Sequence, residues 1–184
     1  MASSFSTSLK LEKMTTGEKA GLWGTTTNTN LDMVEQAVGG YIELSLASGN
    51  QTPAISDGAV SDGRNKVIKL TGSLTANRSL IFPDSCEKTY LVIDGTTRTT
   101  NHYTITIKTS SGTGVTMPVG STMLVIVDGT NVITGITQKG YVTTTGAYTA
   151  VNGDQVIVDT SAAAVTVTLP ASPAVGNEVH FLDG

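Results

Sequence analysis

Leu80-Ile81-Phe82-Pro83, a short polar turn, then Tyr90-Leu91-Val92-Ile93-Asp94-Gly95: this order of apolar strand, proline, turn, second apolar strand and Asp-Gly points to a repeating β architecture, because it recurs. The second copy runs from Val115-Thr116-Met117-Pro118 through Leu124-Val125-Ile126-Val127-Asp128-Gly129. The third runs from Val167-Thr168-Leu169-Pro170 through Val179-His180-Phe181-Leu182-Asp183-Gly184. Pro-to-Asp separations of 11, 10 and 13 residues hold the order while the turn length drifts, the behaviour of stacked, hairpin-like units with variable loops. Each unit is too small to bury a core alone and leaves open strand edges, so stacking along an axis or association with other copies is the physical solution. In Asp94-Gly95, Asp128-Gly129 and Asp183-Gly184 the pair reads as a tight reversal whose glycine takes positive φ. Since the first two units continue into Thr96 and Thr130, the third is expected to continue past Gly184 in the natural chain.

On either side of these units, a period of two marks further strands. Ile42, Leu44 and Leu46 alternate with Tyr41, Glu43 and Ser45, and strands are expected over 66–71, 79–82, 89–93, 103–108, 123–127, 132–137, 155–159, 165–169 and 178–182. Upstream, residues 17–30 read as an extended, turn-rich lead-in. A helix of about two turns follows, with Asn30 as N-cap, Asp32 in the first turn, Leu31, Val34 and Val38 at helical spacing, and Gly39-Gly40 as its end. The expected fold is mainly β: a short N-terminal helix followed by β-sandwich-like or stacked β modules, elongated and oligomeric. Its boundaries are 1–40 for the N-terminal segment, 41–138 for a first β domain and 139–184 for a second β module.

Composition agrees with strands and turns, since 31 threonines and 20 glycines accompany only 14% charged residues, too few for long solvated helices. A net charge of −4 without any cluster of Lys or Arg argues against nucleic acid as a partner. Cys86 is alone, which excludes an intrachain disulfide framework and a multi-cysteine metal site. Residues 1–14 lack the apolar block of a signal peptide, and no segment reaches the roughly 18 apolar residues of a membrane span, so a soluble chain made in the cytoplasm is expected, with no membrane insertion.

Catalytic chemistry finds few carriers. His102 and His180 stand outside any metal-ligand spacing, and no catalytic residue, metal or cofactor is expected. Asp84, Glu87, Asp94, Asp128, Asp154, Asp159 and Asp183 include enough carboxylates for a glycosidase pair, but most stand in turns. Ser56-Asp57-Gly58 and Ser61-Asp62-Gly63 lack the alternating ligands of a calcium loop and read as paired turns. Gly112-Thr113-Gly114 lacks the third glycine and the helix of a dinucleotide site.

One stretch resembles a known family. Gly17-Glu18-Lys19-Ala20-Gly21-Leu22-Trp23-Gly24, the threonines 25–27, and Asn28-Thr29-Asn30-Leu31 are similar to the N-terminal signature of bacteriophage tail-fibre and virion structural proteins. Residues 148–170 are similar to β-rich units further along such fibres. The sequence departs from the pattern in having Met14-Thr15-Thr16 where a proline often precedes the glycine. The resemblance implies a non-enzymatic homotrimer located in the virion tail. Its N-terminal segment would fasten the fibre to a tail or baseplate protein through Gly17, Gly21, Trp23, Gly24, Asn28 and Asn30. Its β modules would lead toward a tip, not recognisable here, that meets a host surface glycan or protein. Trp23, the only tryptophan, reads either as an aromatic anchor for that docking or as a staple onto the following helix and the strand at Tyr41. Two alternatives stand beside this one. The first is a carbohydrate-binding or depolymerase module of a tail spike, in which Tyr41, Tyr90, Tyr103, Tyr141 or Tyr148 stacks on sugar rings. The second is another virion protein, such as a capsid decoration.

Overall fold

The computed structural model describes residues 3–98, 103–138 and 140–184; His102 lies outside the described residues. The chain opens with two short strands, β1 (Ser4–Phe5) and β2 (Glu12–Lys13), which pair antiparallel, followed by helix α1 (Trp23–Gly39). Strand follows strand from there: β3 (Tyr41–Ser45), β4 (Val67–Thr71), β5 (Arg78–Phe82), β6 (Glu87–Asp94), β7 (Ile105–Thr109), β8 (Gly114–Met117), β9 (Thr122–Asp128) and β10 (Val132–Gln138). The C-terminal part carries β11 (Tyr141–Thr144), β12 (Tyr148–Thr149), β13 (Gln155–Val158), β14 (Val167–Thr168) and β15 (His180–Asp183). The fold is mainly β, elongated and solenoid-like in its stacking.

Two sheets face each other across the main core. One is five-stranded in the order β10-β9-β6-β4-β3, the other three-stranded in the order β5-β7-β8. From β4 to β7 successive strands alternate between the sheets, so β6 pairs with β4 in parallel and β7 with β5 in parallel, while β3 adds to β4 in parallel at the edge. Leu44, Ile68, Leu70, Tyr90, Val92, Met123 and Val125 from one sheet meet Leu80, Phe82, Ile105, Ile107 and Met117 from the other. Parallel stacking ends where β7 and β8 form an antiparallel pair; β9 then runs antiparallel to β6. The C-terminal strands repeat the parallel scheme in two smaller sheets, β11-β13-β15 and β12-β14.

This topology corrects the expectation of hairpin-like units. In the first unit β5 and β6 belong to different sheets, in the second β8 and β9 do, and in the third β14 and β15 do. Each unit is therefore an arch, and Pro83, Pro118 and Pro170 follow the strand that the chain is leaving, where an amide without N–H costs no ladder bond. The Asp-Gly pairs also differ from one another. Gly129 has the expected positive φ of 91°, but Gly95 is not in the left-handed region. It is small because its N–H donates to the Leu70 carbonyl at 2.8 Å, and a side chain there would press on Lys69 and on that same carbonyl. The shared element is the aspartate: Asp94 Oδ1 accepts the Thr96 N–H and Asp128 Oδ1 accepts the Thr130 N–H, each closing a turn two residues on.

The helix is also longer than its sequence signals. It spans 17 residues from Trp23, and Asn30 lies inside it rather than capping it. Threonine-rich residues 25–29 are indifferent helix formers, and helical structure there comes from packing and not from propensity.

Tyr90 is the hub of the core. Its ring stacks on Phe82 at 4.1 Å between centroids and 20° between planes, and its hydroxyl donates to the Gly63 carbonyl at 2.7 Å. Buried Cys86 lies beside it, with Sγ 3.6 Å from the hydroxyl, and burial raises the pKa of both groups. Half-buried Lys88 places Nζ 3.9 Å from the Tyr90 ring centroid and donates to the Asn65 carbonyl at 3.0 Å. Burial brings Lys88 down to about 8 from its ordinary 10.5. Between those two values the unfolded chain binds more protons at this group than the folded one, so Lys88 makes stability rise with pH across that window. Wild-type protein is thus expected to gain in urea midpoint relative to Lys88→Met between pH 7 and pH 10; a difference independent of pH would overturn the assignment.

Candidate functional site: the N-terminal platform and its exposed helix stripe

Residues 3–22 build a platform from local hydrogen bonds. Gly17 (φ 82°) and Gly21 (φ 78°) take left-handed conformations that only glycine adopts without cost, which accounts for two glycines of the signature. Between them, Glu18 accepts the Thr15 N–H at 2.9 Å and the Ser3 hydroxyl at 2.9 Å, contacts that lower its pKa. Lys19 bridges to Glu12 at 2.8 Å, lowering the carboxyl and raising the amine.

Asn30 joins helix to platform. Its Oδ1 accepts the Glu12 N–H at 2.9 Å and its Nδ2 donates to the Glu12 carbonyl at 2.8 Å, so the side-chain amide stands in for a neighbouring strand along β2. Asn28, two residues earlier, is exposed. Gly24 has open space around the place a Cβ would occupy, and no contact requires glycine there. Six residues singled out from the sequence thus separate into two backbone hinges (Gly17, Gly21), one clamp (Asn30) and three positions on the outside (Trp23, Gly24, Asn28).

The helix then shows two apolar faces. Thr26, Met33 and Ala37, with Asn30 between them, are turned inward at spacings of four, three and four. Trp23 (62% exposed), Leu31 (60%), Val34 (38%) and Val38 (73%) follow a parallel line, one position on, and stay in solvent. Of the two readings of Trp23, the staple is the one this geometry disfavours, because the ring is left outside. Tyr41, three residues beyond Val38, is exposed too and begins a second apolar line.

That line crosses the outer face of the five-stranded sheet. Tyr41 pairs with Val67, Val67 with Leu91, Leu91 with Leu124, and Leu124 with Ile136, one outward apolar side chain from every strand. A bulge at Gly135 inserts one residue in β10, so Ile133 and Ile136 share the outward face although an odd number of positions separates them. Ile133 pairs with Ile126 beside the row, and both are exposed. Apolar positions recur on both sides of this sheet, whereas a sheet with one solvated face shows polar residues on it.

The remaining sequence-derived positions do not converge. Asp94 is buried, pairs with Arg98 at 2.7 Å and also accepts the Gly120 N–H at 2.9 Å. Asp84 takes the N–H and hydroxyl of Ser111, and Asp159 the N–H of Ser161; these donors lower both carboxyls, as the N–H groups of Asn131 and Thr130 lower Asp128. Asp183 is exposed at the end of β15. Among the described residues no three His, Cys, Asp or Glu side chains gather as a metal site, and no helix is long and apolar enough to cross a membrane. Of the tyrosines named for sugar stacking, Tyr90 is fully buried and unavailable, Tyr41 and Tyr141 are exposed, and Tyr148 donates to Asp154 at 3.0 Å.

Two arginines escaped the sequence reading because nothing in their neighbours marks them. Arg64, in a polar turn, is completely buried; Arg98 is nearly so. Comparison of the chain with protein-family models, with curated proteins and with solved structures finds no match.

Proposed function

We propose that this protein is a structural component of a bacteriophage tail fibre, acting through geometry and not through a reaction. Its N-terminal segment docks to a tail or baseplate protein, and its β modules pack with two further copies around a shared axis. Supporting this is the exposed stripe of Trp23, Leu31, Val34 and Val38, which lies within and just after the stretch that resembles fibre attachment segments. Large apolar side chains left in solvent along one helix face are a common mark of an interaction surface, and aromatic anchors dominate such contacts. The outward row from Tyr41 to Ile136 supports self-association, since its burial against other copies would remove it from water. Host recognition then gains from several copies presented together, even where each contact is weak.

The double variant Trp23→Ala/Leu31→Ser tests the docking. It leaves the inward face and the Asn30 clamp intact, so the purified protein should keep its melting curve and its sedimentation, while incorporation into particles falls at least tenfold. Incorporation at the wild-type level would overturn the docking role.

A further inference from the structure

The N-terminal stretch is held differently from the sheets. From residue 3 to residue 25 no residue is buried, and Met33 and Ala37 of α1, although buried, stand outside the apolar cluster that the two sheets enclose. Residues 3–13 close a small hairpin by their own bonds: β1 pairs with β2, the Ser6 N–H donates to the Leu11 carbonyl at 2.9 Å, and the Ser6 hydroxyl accepts the Leu11 N–H at 2.9 Å. A two-stranded hairpin of this size is not stable alone, so its anchors decide whether it stays down.

Those anchors are nearly all polar. The Leu9 carbonyl accepts from Arg64 Nε at 2.8 Å, the Lys10 carbonyl from the Gly58 N–H at 2.9 Å and the Ser8 hydroxyl from the Glu87 N–H at 3.2 Å. Asn30 and Lys19 hold Glu12, and the ring of half-buried Phe5 reaches to Gly58. Water replaces hydrogen bonds of this kind with little net loss, whereas separating the sheets exposes fully buried Leu80, Phe82, Ile105 and Ile107. Lys10 adds a cost of its own, since its φ of 55° is left-handed for a residue with a Cβ. The hairpin therefore belongs to the low-stability end of the molecule.

What lies under it follows from the same contacts. Ser8 holds the amide next to Cys86; burial raises the Cys86 thiol, and the charge of Lys10 is close enough to act against that. Leu9 reaches the same place through Arg64, whose neighbour Gly63 accepts the Tyr90 hydroxyl that Cys86 Sγ touches at 3.6 Å.

We propose that residues 3–13 are a detachable strap: they lift from the body as one unit while the two sheets stay folded, and lifting uncovers Cys86, which is 2% exposed when the strap is down. Asn30 is the catch, because one side chain holds both backbone groups of Glu12. It sits on the inward side of α1 beside Leu31 of the exposed stripe, so the strap also steadies the helix. A strap of this kind operates whether or not the helix docks to a tail protein.

Cys86 is the only cysteine, so its reaction with dithiobis(nitrobenzoate) reports the opening in the full chain. Labelling should proceed in buffer and quicken only slightly with urea up to the onset of the unfolding transition, because lifting a hairpin exposes little surface. Asn30→Ala should raise the rate in buffer at least tenfold. Leu70→Ala, in the core opposite Asp94 and so at the far end of β6 from Cys86, should lower the urea midpoint and leave that rate within twofold. A rate that follows the slope of global unfolding from the lowest urea, a wild-type rate in Asn30→Ala, or a rise in Leu70→Ala equal to that in Asn30→Ala would each overturn the proposal.

Discussion

Arg64→Ala is expected to lower the stability of this protein by about 3–5 kcal/mol, although the residue closes a short 3₁₀ turn, Asp62–Arg64, outside the strands of the core. Its guanidinium is completely buried and gathers acceptors from three directions. Nε donates to the Leu9 carbonyl at 2.8 Å, Nη1 to the Ser61 hydroxyl at 2.8 Å and to the Ala59 carbonyl, and Nη2 to the Ser56 carbonyl. Burial lowers the pKa of the group, an effect that the charge of Asp57 opposes. The arginine therefore fastens the N-terminal platform to the long connection between β3 and β4, and its loss leaves several carbonyls facing a void. Arg64→Lys should recover little, because three donors on one nitrogen cannot reach acceptors spread around a planar fork. Urea denaturation gives the magnitude, and hydrogen exchange gives the place: amides of residues 56–64 should lose protection in both variants. If Arg64→Lys matched wild type in both measurements, charge alone and not the fork would hold the loop.

Phe82→Ala should cost a similar amount, about 3–5 kcal/mol, or a fall in Tm of about 6–20 °C for a chain of this size. Phe82 is fully buried in the three-stranded sheet and stacks on Tyr90 of the five-stranded sheet, so the pair is where the two sheets touch most specifically. Removing the ring opens a cavity that neither sheet can close, since each is fixed by its own ladder. Tyr90→Phe separates the hydroxyl from the stack: it removes the bond to the Gly63 carbonyl and the weaker contact with Cys86 Sγ, and should cost about 1–2 kcal/mol. A double-mutant cycle between Phe82→Ala and Tyr90→Ala should show a coupling of about 0.5–1.5 kcal/mol. Additive effects would mean that the contact between sheets lies elsewhere.

The two predictions concern residues of different legibility. Phe82 belongs to the repeat that opens the reading of the sequence, in a strand whose bounds the apolar pattern places within a residue of the observed β5. Arg64 was invisible, because a buried guanidinium among carbonyls leaves no local pattern: its partners at Leu9, Ser56 and Ala59 are brought to it only by folding. The same division runs through the N-terminal platform. Gly17 and Gly21 stand out in sequence and prove to be left-handed backbone positions. Asn30 stands out too, but its role as a clamp on Glu12 replaces the cap that its place before Leu31 suggests.

The β character, the position of most core strands and the recurrence of three proline-linked units were already written along the chain, because period-two apolar patterns and turn residues act over a few residues at a time. Partnership was settled by packing. Whether two consecutive strands close a hairpin or part into opposite sheets depends on which earlier strand offers a free edge. That is a matter of contacts such as Leu80 with Ile107 and Leu91 with Leu124, remote along the chain. Exposure of the helix stripe and burial of Arg64 follow from the same cause. Each is fixed by what lands beside the residue once the sheets are stacked, and a side chain carries no record of its distant neighbours in its own segment.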